Sequence, residues 1–286
     1  SHFHEGRAYV SFDGHRDDNF GVYVYATEDF GQSWSPIKSD LPEGIPINII
    51  REDRKNENLL FVGTEIGVYL SLDRGRHWIR LNNGLPTVPV EDLLIHPRDA
   101  DLVAGTHGRG IYILDISSLQ QSTQEVLGSN AFLFAPETAT LFHVEITKNK
   151  GASGARRFVA VNPYSSLTQL NDRTGSAPPG ATISYYLKES LPVPVKISIL
   201  NQSGKIVRKL TGPADQGINF VAWDLRETPL PLPPSWQRIG SNDSRQLAQQ
   251  GPRTRPGPYI KPGQYRIRLL TEREILERFL SVLKDD

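Results

Sequence analysis

Two eight-residue segments of the chain carry the same chemically active groups at the same spacing. Residues 27–34 read TEDFGQSW and residues 71–78, placed 44 residues further along, read SLDRGRHW. Each segment holds a hydroxyl, a carboxylate, a glycine and a tryptophan in the order [Ser/Thr]-x-Asp-x-Gly-x-x-Trp. A repeated carboxylate near an aromatic ring could mark a site used twice for chemistry, or a turn that each copy of a structural unit must make.

The same groups also satisfy the needs of a tight hairpin turn. An Asp side chain can accept hydrogen bonds from turn N–H groups, the Gly two residues later can adopt positive φ, and the Trp can return an apolar ring to the space between sheets. None of these roles needs an acid, a base or a metal. We therefore interpret the segment, called the box below, as structural. Its residues are Thr27, Asp29, Gly31 and Trp34 in the first copy and Ser71, Asp73, Gly75 and Trp78 in the second.

A second group of chemically capable side chains lies in three short charged segments. These side chains are His15, Arg16, Asp17, Asp18, Glu65, His107 and Arg109. A carboxylate pair can share a proton or bind a hard cation, and an arginine can clamp a carboxylate with two hydrogen bonds. Asp17 and Asp18 suit a two-carboxylate glycosidase poorly, because that reaction needs acids opposed across a cleft. We assign no catalytic residue, and no metal site, since no histidine spacing typical of metal sites is present.

A longer repeat places these residues on strands and turns. The runs LLFVGTE (59–65) and GVYLSLD (67–73) lead into the second box, related runs lead into the first, and DLVAGT (101–106) with GIYILD (110–115) form a third copy without a box. Each unit has about 43 residues and four short strand-like runs. This is the size of one four-stranded blade of a β-propeller, with the box between the third and fourth strands.

The order of strands in a blade separates the box from the charged segments. Alternate connections of an antiparallel sheet emerge at opposite ends, so the segments at 13–21, 64–67 and 106–110 are predicted to lie opposite the box. We expect the seven charged side chains to form a candidate ligand face there. The alternative is that these charges cap their own turns and pair with one another across adjacent blades.

The box and its spacing resemble the Asp-box, or BNR, repeat of sialidase-like, sortilin-like and xyloglucanase-like β-propellers. The resemblance covers residues 1–117 and implies the last two to three blades of a propeller, often in a secreted or lumenal protein. It does not imply one activity, because catalytic and purely binding propellers share the box. About two and a half blades are present where closed propellers have about four to eight, so the remaining blades are expected upstream in the chain or in a partner protein.

The rest of the chain predicts a connector and a second β domain. Residues 118–179 are expected to connect the two, with AFLFAPETATLF (131–142) packing on the last blade or forming its missing strand. Residues 180–286 contain about seven short alternating runs, typical of an immunoglobulin-like or fibronectin-III-like β-sandwich. The runs around Trp223 and Tyr265 resemble the Ig-like domain of flagellar-hook-capping proteins, which implies a spacer or docking module. The whole combination resembles bacterial proteins called BNR-repeat glycosyl hydrolases.

Composition narrows the classes of partner. The 286 residues hold 32 basic and 32 acidic side chains and no cysteine, so no net field favours nucleic acid and no disulfide or thiolate metal site can form. No apolar run approaches the length of about 18 residues that a membrane span needs. Trp236 lies in a proline-rich, basic loop, where it could stack on a sugar or a partner protein, or anchor its own loop.

We therefore expect an all-β, non-catalytic binding or scaffold protein of the bacterial cell envelope or exterior, extracellular or periplasmic. Its propeller blades would present the ligand face to a protein or a glycan, without a cofactor. Its Ig-like module would act as a docking module or as a spacer. The alternative is the C-terminal part of a BNR-repeat glycoside hydrolase, whose catalytic acids lie upstream or on the loops of the ligand face.

Overall fold

The structure, a computed structural model, describes residues 1–81, 85–141, 180–231 and 254–284. In these residues the protein is all-β with a few very short helices, which confirms the all-β part of the predicted fold class. The chain divides into two compact units, Ser1–Ala131 and Phe132–Asp286. This division falls further along the chain than residue 117, where the repeat ends. Trp236 lies outside the described residues.

The first sheet, called sheet I, has three antiparallel strands in chain order. They are β1 (Ala8–Gly14), β2 (Asn19–Thr27) and β3 (Ser35–Pro36), with a single 3-10 turn at His15–Asp17. Val22 and Val24 of β2 are buried while the residues between and beside them are more exposed. This period of two is expected of a strand that is covered on one face only.

Sheet II has four antiparallel strands in chain order and contains the second box. They are β4 (Ile47–Glu52), β5 (Leu60–Thr64), β6 (Gly67–Ser71) and β7 (Ile79–Arg80). Every residue of β5 and β6 is buried, which explains why both strands read as continuous apolar runs. The box connects the third strand of this sheet to the fourth.

Sheet III has three antiparallel strands and is followed by two helical turns. The strands are β8 (Val90–Ile95), β9 (Asp101–Thr106) and β10 (Gly110–Asp115), and the helices are α1 (Ser117–Gln120) and α2 (Gln124–Gly128). The third copy of the repeat lacks a box, and in the described part of the chain this sheet has no fourth strand. None of the described helices has the length and apolar character that crossing a membrane requires.

Sheets I, II and III are stacked face to face. The face that a sheet turns toward the next sheet in the chain is called its front face, and the opposite one its back face. The space between sheets I and II is filled by Val22, Val24, Leu60, Val62, Tyr69 and Trp78. The space between sheets II and III is filled by Leu59, Phe61, Val68, Leu70, Val90, Leu93, Leu102 and Ala104. The back face of sheet I and the front face of sheet III remain at the two ends of the stack.

The second unit contains a three-stranded and a five-stranded sheet. Their strands are β11 (Ala131–Leu133), β12 (Ala139–Leu141), β13 (Ala181–Leu187), β14 (Val195–Leu200), β15 (Ile206–Gly212), β16 (Gly217–Trp223), β19 (Gly263–Leu270) and β20 (Ile275–Lys284). The order is β11, β13, β16 in one sheet and β12, β20, β19, β14, β15 in the other. The strands β17 (Leu230–Pro231) and β18 (Thr254–Arg255) form a separate two-stranded pair.

One aromatic contact joins the buried sides of these two sheets. Trp223 of β16 meets Tyr265 of β19 edge to face, with ring centroids 5.8 Å apart. The indole Nε1 of Trp223 donates a hydrogen bond to the Arg226 carbonyl oxygen at 2.9 Å, so this buried ring leaves no polar group unsatisfied. The two sheets therefore contact each other through buried side chains at Trp223 and Tyr265.

The segment 131–142 is placed differently from the sequence expectation. Its strand β11 pairs with β13, and its strand β12 pairs in parallel with β20, both inside the second unit. Each of these three-residue strands buries its first and third side chains, which suits an edge strand against an existing sheet. The segment thus adds strands to the second unit and does not form the missing strand of the last blade, while its packing on that blade stays a prediction.

Candidate functional site

The second box is a closed network of hydrogen bonds around one carboxylate. Ser71 Oγ donates to Asp73 Oδ1 at 2.8 Å and accepts from the Gly75 N–H at 2.8 Å. Asp73 accepts from the N–H of His77 at 2.9 Å and contacts the imidazole Nδ1 at 2.6 Å. Burial opposes ionisation, but these bonds from His77 and Ser71 hold the pKa of Asp73 below its usual value, and Asp73 in turn raises the pKa of His77.

The first box repeats this network with different side chains. Thr27 Oγ1 donates to Asp29 Oδ1 at 2.7 Å and accepts from the Gly31 N–H at 3.0 Å. Ser33 takes the place of the histidine and donates from both its N–H and its hydroxyl to Asp29. Hydrogen bonds from Ser33 and Thr27 lower the pKa of Asp29 to about 2. Two different sequences therefore build one turn.

The backbone of each box passes through the left-handed region at two successive residues. Phe30 and Gly31 have φ of 60° and 83°, and Arg74 and Gly75 have φ of 59° and 82°. In each box the glycine N–H donates to the box hydroxyl, and the N–H of Ser33 or His77, two residues later, donates to the box carboxylate. Both Asp side chains are thus engaged by their own turns, as the structural interpretation of the box expects.

The two box tryptophans differ although their turns are alike. Trp78 is 5% exposed, and its Nε1 donates to the Ile37 carbonyl oxygen at 2.7 Å. Its N–H also donates to Asp40 Oδ2 at 3.2 Å. Trp34 is 42% exposed. The indole of Trp78 is thus hydrogen-bonded to Ile37, just after the last strand of sheet I, whereas the indole of Trp34 is partly exposed to solvent.

The candidate ligand face begins with the turn between β1 and β2. The Nδ1 atom of His15 lies 2.5 Å from Asp13 Oδ2, and the N–H of His15 donates to Asp13 Oδ1 at 3.0 Å. Asp18 has φ of 57° and closes the turn through its N–H to the His15 carbonyl oxygen. The side chains of Arg16, Asp17 and Asp18 are exposed.

The other two turns of this face are partly used to join neighbouring strands. Glu65 accepts a hydrogen bond from Asn48 Nδ2 at 2.9 Å, and the same amide nitrogen donates to the Val90 carbonyl oxygen in sheet III at 3.2 Å. His107 Nδ1 lies 3.2 Å from Glu91 Oε1 in the adjacent strand. Glu65 is therefore linked to sheet III only through Asn48, and the alternative interpretation, in which the charges pair with one another across adjacent blades, stays a prediction.

The seven predicted side chains thus lie on three turns, which connect β1 to β2, β5 to β6 and β9 to β10 at the ends of the strands. Among the described residues, no hydrogen bond or ion pair links the turn at His15–Asp17 to the turn at Glu65 or to the turn at His107. Arg109 is exposed beside His107. Convergence of all seven on one ligand stays a prediction.

Sequence reasoning missed an acidic pair at the opposite end of sheet III. Asp101 and Asp115 face each other across β9 and β10. Burial, then the charges of Asp115 and Asp99, raise the pKa of Asp101 to about 6. Burial also raises the pKa of Asp115, against hydrogen bonds from Ser117. The sequence did hold a signal for this pair. The first run of the third repeat begins at Asp101 and the second ends at Asp115, so pairing the two runs as a hairpin brings the two acids together.

A second missed feature is a concavity of about 650 Å³ on the back face of sheet I. Its lining is aromatic with two polar groups, and consists of Val10, Phe12, Asp13, Gly14, Asn19, Tyr23, Tyr25 and Trp34. Phe12 and Tyr25 meet edge to face with centroids 6.4 Å apart, and the Tyr23 hydroxyl bonds to Asn19. A surface of this kind can bury apolar or planar groups.

In the described ranges, no cluster of three or more His, Asp or Glu side chains is arranged to hold a metal ion. No protein-family model matches the chain, and no curated protein matches it.

Several solved structures are similar at a distance. Two structures of the extracellular domain of BT4673 from B. thetaiotaomicron, described as a one-component system and as a hybrid two-component system, are 9% and 10% identical, each with a TM-score of 0.27. They match 91% of this chain, which spans 28% of theirs. A mutant of Salmonella alpha-2-macroglobulin is 13% identical over 92% of this chain and 14% of its own, with a TM-score of 0.25. Similarity at this level defines neither a family nor a function.

Proposed function

We propose that the protein is a non-catalytic binding or scaffold protein of the bacterial cell envelope or exterior. In this proposal sheets I to III are the last blades of a partial β-propeller of the Asp-box type. The second unit is an Ig-like or fibronectin-III-like sandwich that acts as a docking module or as a spacer. An extracellular or periplasmic location belongs to the same proposal and is supported by the resemblance of the box to that of secreted propellers.

The arrangement of the sheets supports this fold assignment. Three antiparallel sheets follow one another in chain order and pack face to face, and equivalent box turns close the outer strands of sheets I and II. Propeller blades are stacked in this way around their axis. In the second unit, two sheets that contact each other through the buried side chain of Trp223 support the sandwich.

The observation that supports the ligand face is the contrast between the two ends of the strands in sheets I to III. At the box end, Asp29 and Asp73 are engaged by hydrogen bonds of their own turns. At the other end, Arg16, Asp17 and Arg109 extend from closed turns into solvent. Exposed side chains on turns that a rigid scaffold holds in place are the usual source of binding sites.

The charges on this face indicate the chemistry of the ligand. Arginine holds carboxylates through paired, charge-assisted hydrogen bonds, so Arg16 and Arg109 suit an acidic ligand. Asp17 and Asp18 can accept hydrogen bonds from hydroxyl or ammonium groups on the same ligand. An acidic glycan fits both requirements, and an acidic protein segment fits the first.

Binding and turnover should be measured on one panel of neutral and acidic glycans. We expect binding of acidic glycans without hydrolysis, and a loss of affinity of about 10-fold or more in Arg109→Ala. Arg76→Ala is the matched control, because Arg76 is an exposed arginine at the box end. Equal effects of the two substitutions, or the absence of binding to any acidic glycan or protein probe, would contradict the proposed ligand face.

The alternative is the C-terminal part of a BNR-repeat glycoside hydrolase, with its catalytic acids upstream or on the loops of the ligand face, where Asp17 and Asp18 are exposed. Hydrolysis of any glycan in the same panel, abolished in a folded Asp17→Asn variant, would establish the alternative and remove the non-catalytic proposal.

A further inference from the structure

Two turns of the ligand face lie beside a bulge that recurs in sheets II and III. The register between β4 and β5 shifts at Asn48, and the register between β8 and β9 shifts at Glu91. Each is the second residue of its strand, next to the residue that pairs with Thr64 in sheet II and with Thr106 in sheet III. Because a bulge can redirect a side chain at the end of a strand pair, the two side chains occupy equivalent positions of the repeat.

In both sheets the bulge side chain contacts the first side chain of the neighbouring turn. Asn48 Nδ2 donates to Glu65 Oε1 at 2.9 Å in sheet II. His107 Nδ1 lies 3.2 Å from Glu91 Oε1 in sheet III. Glu65 and His107 each directly follow the threonine of their turn, so the two contacts are equivalent. A neutral amide holds a carboxylate in sheet II, whereas a carboxylate holds an imidazole in sheet III.

The pair in sheet III can therefore change its charge near neutral pH. Histidine is the side chain that ordinarily titrates between about pH 5 and 8, and an amide does not titrate. The side chains of His107 and Glu91 are 78% and 57% exposed, and Arg109 is exposed on the same turn. With a neutral imidazole the charges of Glu91 and Arg109 cancel. With a protonated imidazole the three groups carry one net positive charge.

Charged groups on the neighbouring strands offset one another. Asp92 of β8 forms an ion pair with Arg51 of β4 at 3.2 Å. On the equivalent turn of sheet II, Glu65 is accompanied by Arg80, whose Nη2 donates to the Ile66 carbonyl oxygen at 2.9 Å. These two sets of opposite charges add no net charge to this end of the strands. One proton on the imidazole in sheet III thus decides the local sign.

The other histidine of the ligand face has a different environment. His15 Nδ1 lies 2.5 Å from Asp13 Oδ2. The same turn also carries Asp17 and Asp18, with one arginine, Arg16. With three carboxylates against one arginine, this turn stays net negative even when its imidazole is protonated. An acidic ligand therefore gains more from a proton on the imidazole in sheet III.

We propose that His107, paired with Glu91, makes the ligand face responsive to pH, so that an acidic ligand binds more tightly when the imidazole gains a proton. Above the titration range, the carboxylate of Glu91 opposes an anion placed beside Arg109. Below it, the imidazolium offsets that carboxylate and presents a charged donor next to the guanidinium. The proposal rests on the proposed ligand face and adds the regulation of that site.

Calorimetric titration of the whole chain with a sulfated oligosaccharide tests the proposal, because sulfate stays ionised across the range and only the protein titrates. We expect binding at about pH 5.5 to be about 3- to 10-fold tighter than at about pH 8, as one added charge a few ångströms from the ligand implies. His107→Gln should bind with the same affinity at both pH values, within about 2-fold. Glu91→Gln should bind more tightly than the wild type at the higher pH, because it removes the opposing carboxylate.

The matched control is His77→Ser. His77 is also exposed and contacts a carboxylate, that of Asp73, but it lies at the box end. Ser33 occupies the equivalent position of the first box, so serine suits this turn. The control should keep the pH dependence of the wild type. Circular dichroism checks that all three variants are folded at both pH values.

The outcomes separate the regulation from the ligand face itself. Binding that is equal at both pH values in the wild type, or a pH dependence that survives in His107→Gln, overturns the regulation and leaves the ligand face standing. Loss of the pH dependence in His77→Ser, or weaker binding of Glu91→Gln at the higher pH, also overturns it. Absence of binding at both pH values, to this probe and to the acidic glycans of the panel, overturns the ligand face together with its regulation.

Discussion

The two box tryptophans test the stacked arrangement, because one motif places them in two environments. Trp78 is buried between sheets I and II and donates to the Ile37 carbonyl oxygen, whereas Trp34 lies at the open end of the stack. Replacing each by Ala removes the same atoms from the same kind of turn. The difference between the two losses of stability then reports the packing of sheet II on sheet I.

The magnitude follows from the buried area. A buried tryptophan removes about 150–250 Å² of surface from water, which at about 25 cal/mol per Å² corresponds to roughly 4–6 kcal/mol. Alanine retains part of this, and losses for buried aromatic residues are about 3–5 kcal/mol. We expect Trp78→Ala to lower the free energy of unfolding of the first unit by about 3–5 kcal/mol, and Trp34→Ala by about 1–2 kcal/mol because much of its ring already faces water.

Urea denaturation followed by circular dichroism measures both variants, with hydrogen exchange to identify which unit unfolds. For an m-value of about 2 kcal/mol per M, the midpoint should move by about 1.5–2.5 M in Trp78→Ala and by no more than about 1 M in Trp34→Ala. Equal losses in the two variants, or an unchanged midpoint in Trp78→Ala, would refute the packing of the box on the preceding sheet.

Three further outcomes are expected. Gly75→Ala should destabilise the first unit by about 1–3 kcal/mol more than Gly31→Ala in urea titrations, because both glycines have positive φ but only at Gly75 would a Cβ lie 2.9 Å from Ile37. Asp101→Asn should raise the melting temperature at pH 7.5, and this gain should shrink as the pH falls from about 6 toward 4. The reason is that the pKa of Asp101 is raised in the folded state, so its ionised carboxylate destabilises the fold above that pH range. Protonation of the carboxylate removes this destabilisation below the range. Trp223→Phe should lower the free energy of unfolding of the second unit by about 1–3 kcal/mol through the lost hydrogen bond and ring volume, and should leave the unfolding transition of the first unit unchanged.

The elements of the first unit could be predicted because their signals are local and repeated. The box holds its own hydrogen-bond donors and acceptors within eight residues, so its turn follows from the motif. The segment 131–142 could not be placed, because a three-residue apolar strand fits the edge of any nearby sheet. Residues 275–283 fit a helix or a strand by pattern, and their pairing with β19 decides for β20.

The candidate site was less predictable, because it depends on what lies beside each turn. Trp34 and Trp78 have the same local motif, and only the presence of a preceding sheet makes one buried and the other exposed. The pairing of Asp101 with Asp115 appears once the register of β9 and β10 is known. Residue types and spacing therefore predicted neither the different burial of the two tryptophans nor the pairing of the two acids.

Burial along the stack of three sheets is uneven. Both central strands of sheet II are covered along their whole length, while in the described part of the first unit sheets I and III each have another sheet on one face. Such a stack acts as a short linear array, in which each member is stabilised by its own hydrogen bonds and by its immediate neighbours. Fraying should start at either end and reach the middle last, so the amides of β5 and β6 should exchange with solvent most slowly. A molecule bound at one end would slow the opening of that end first.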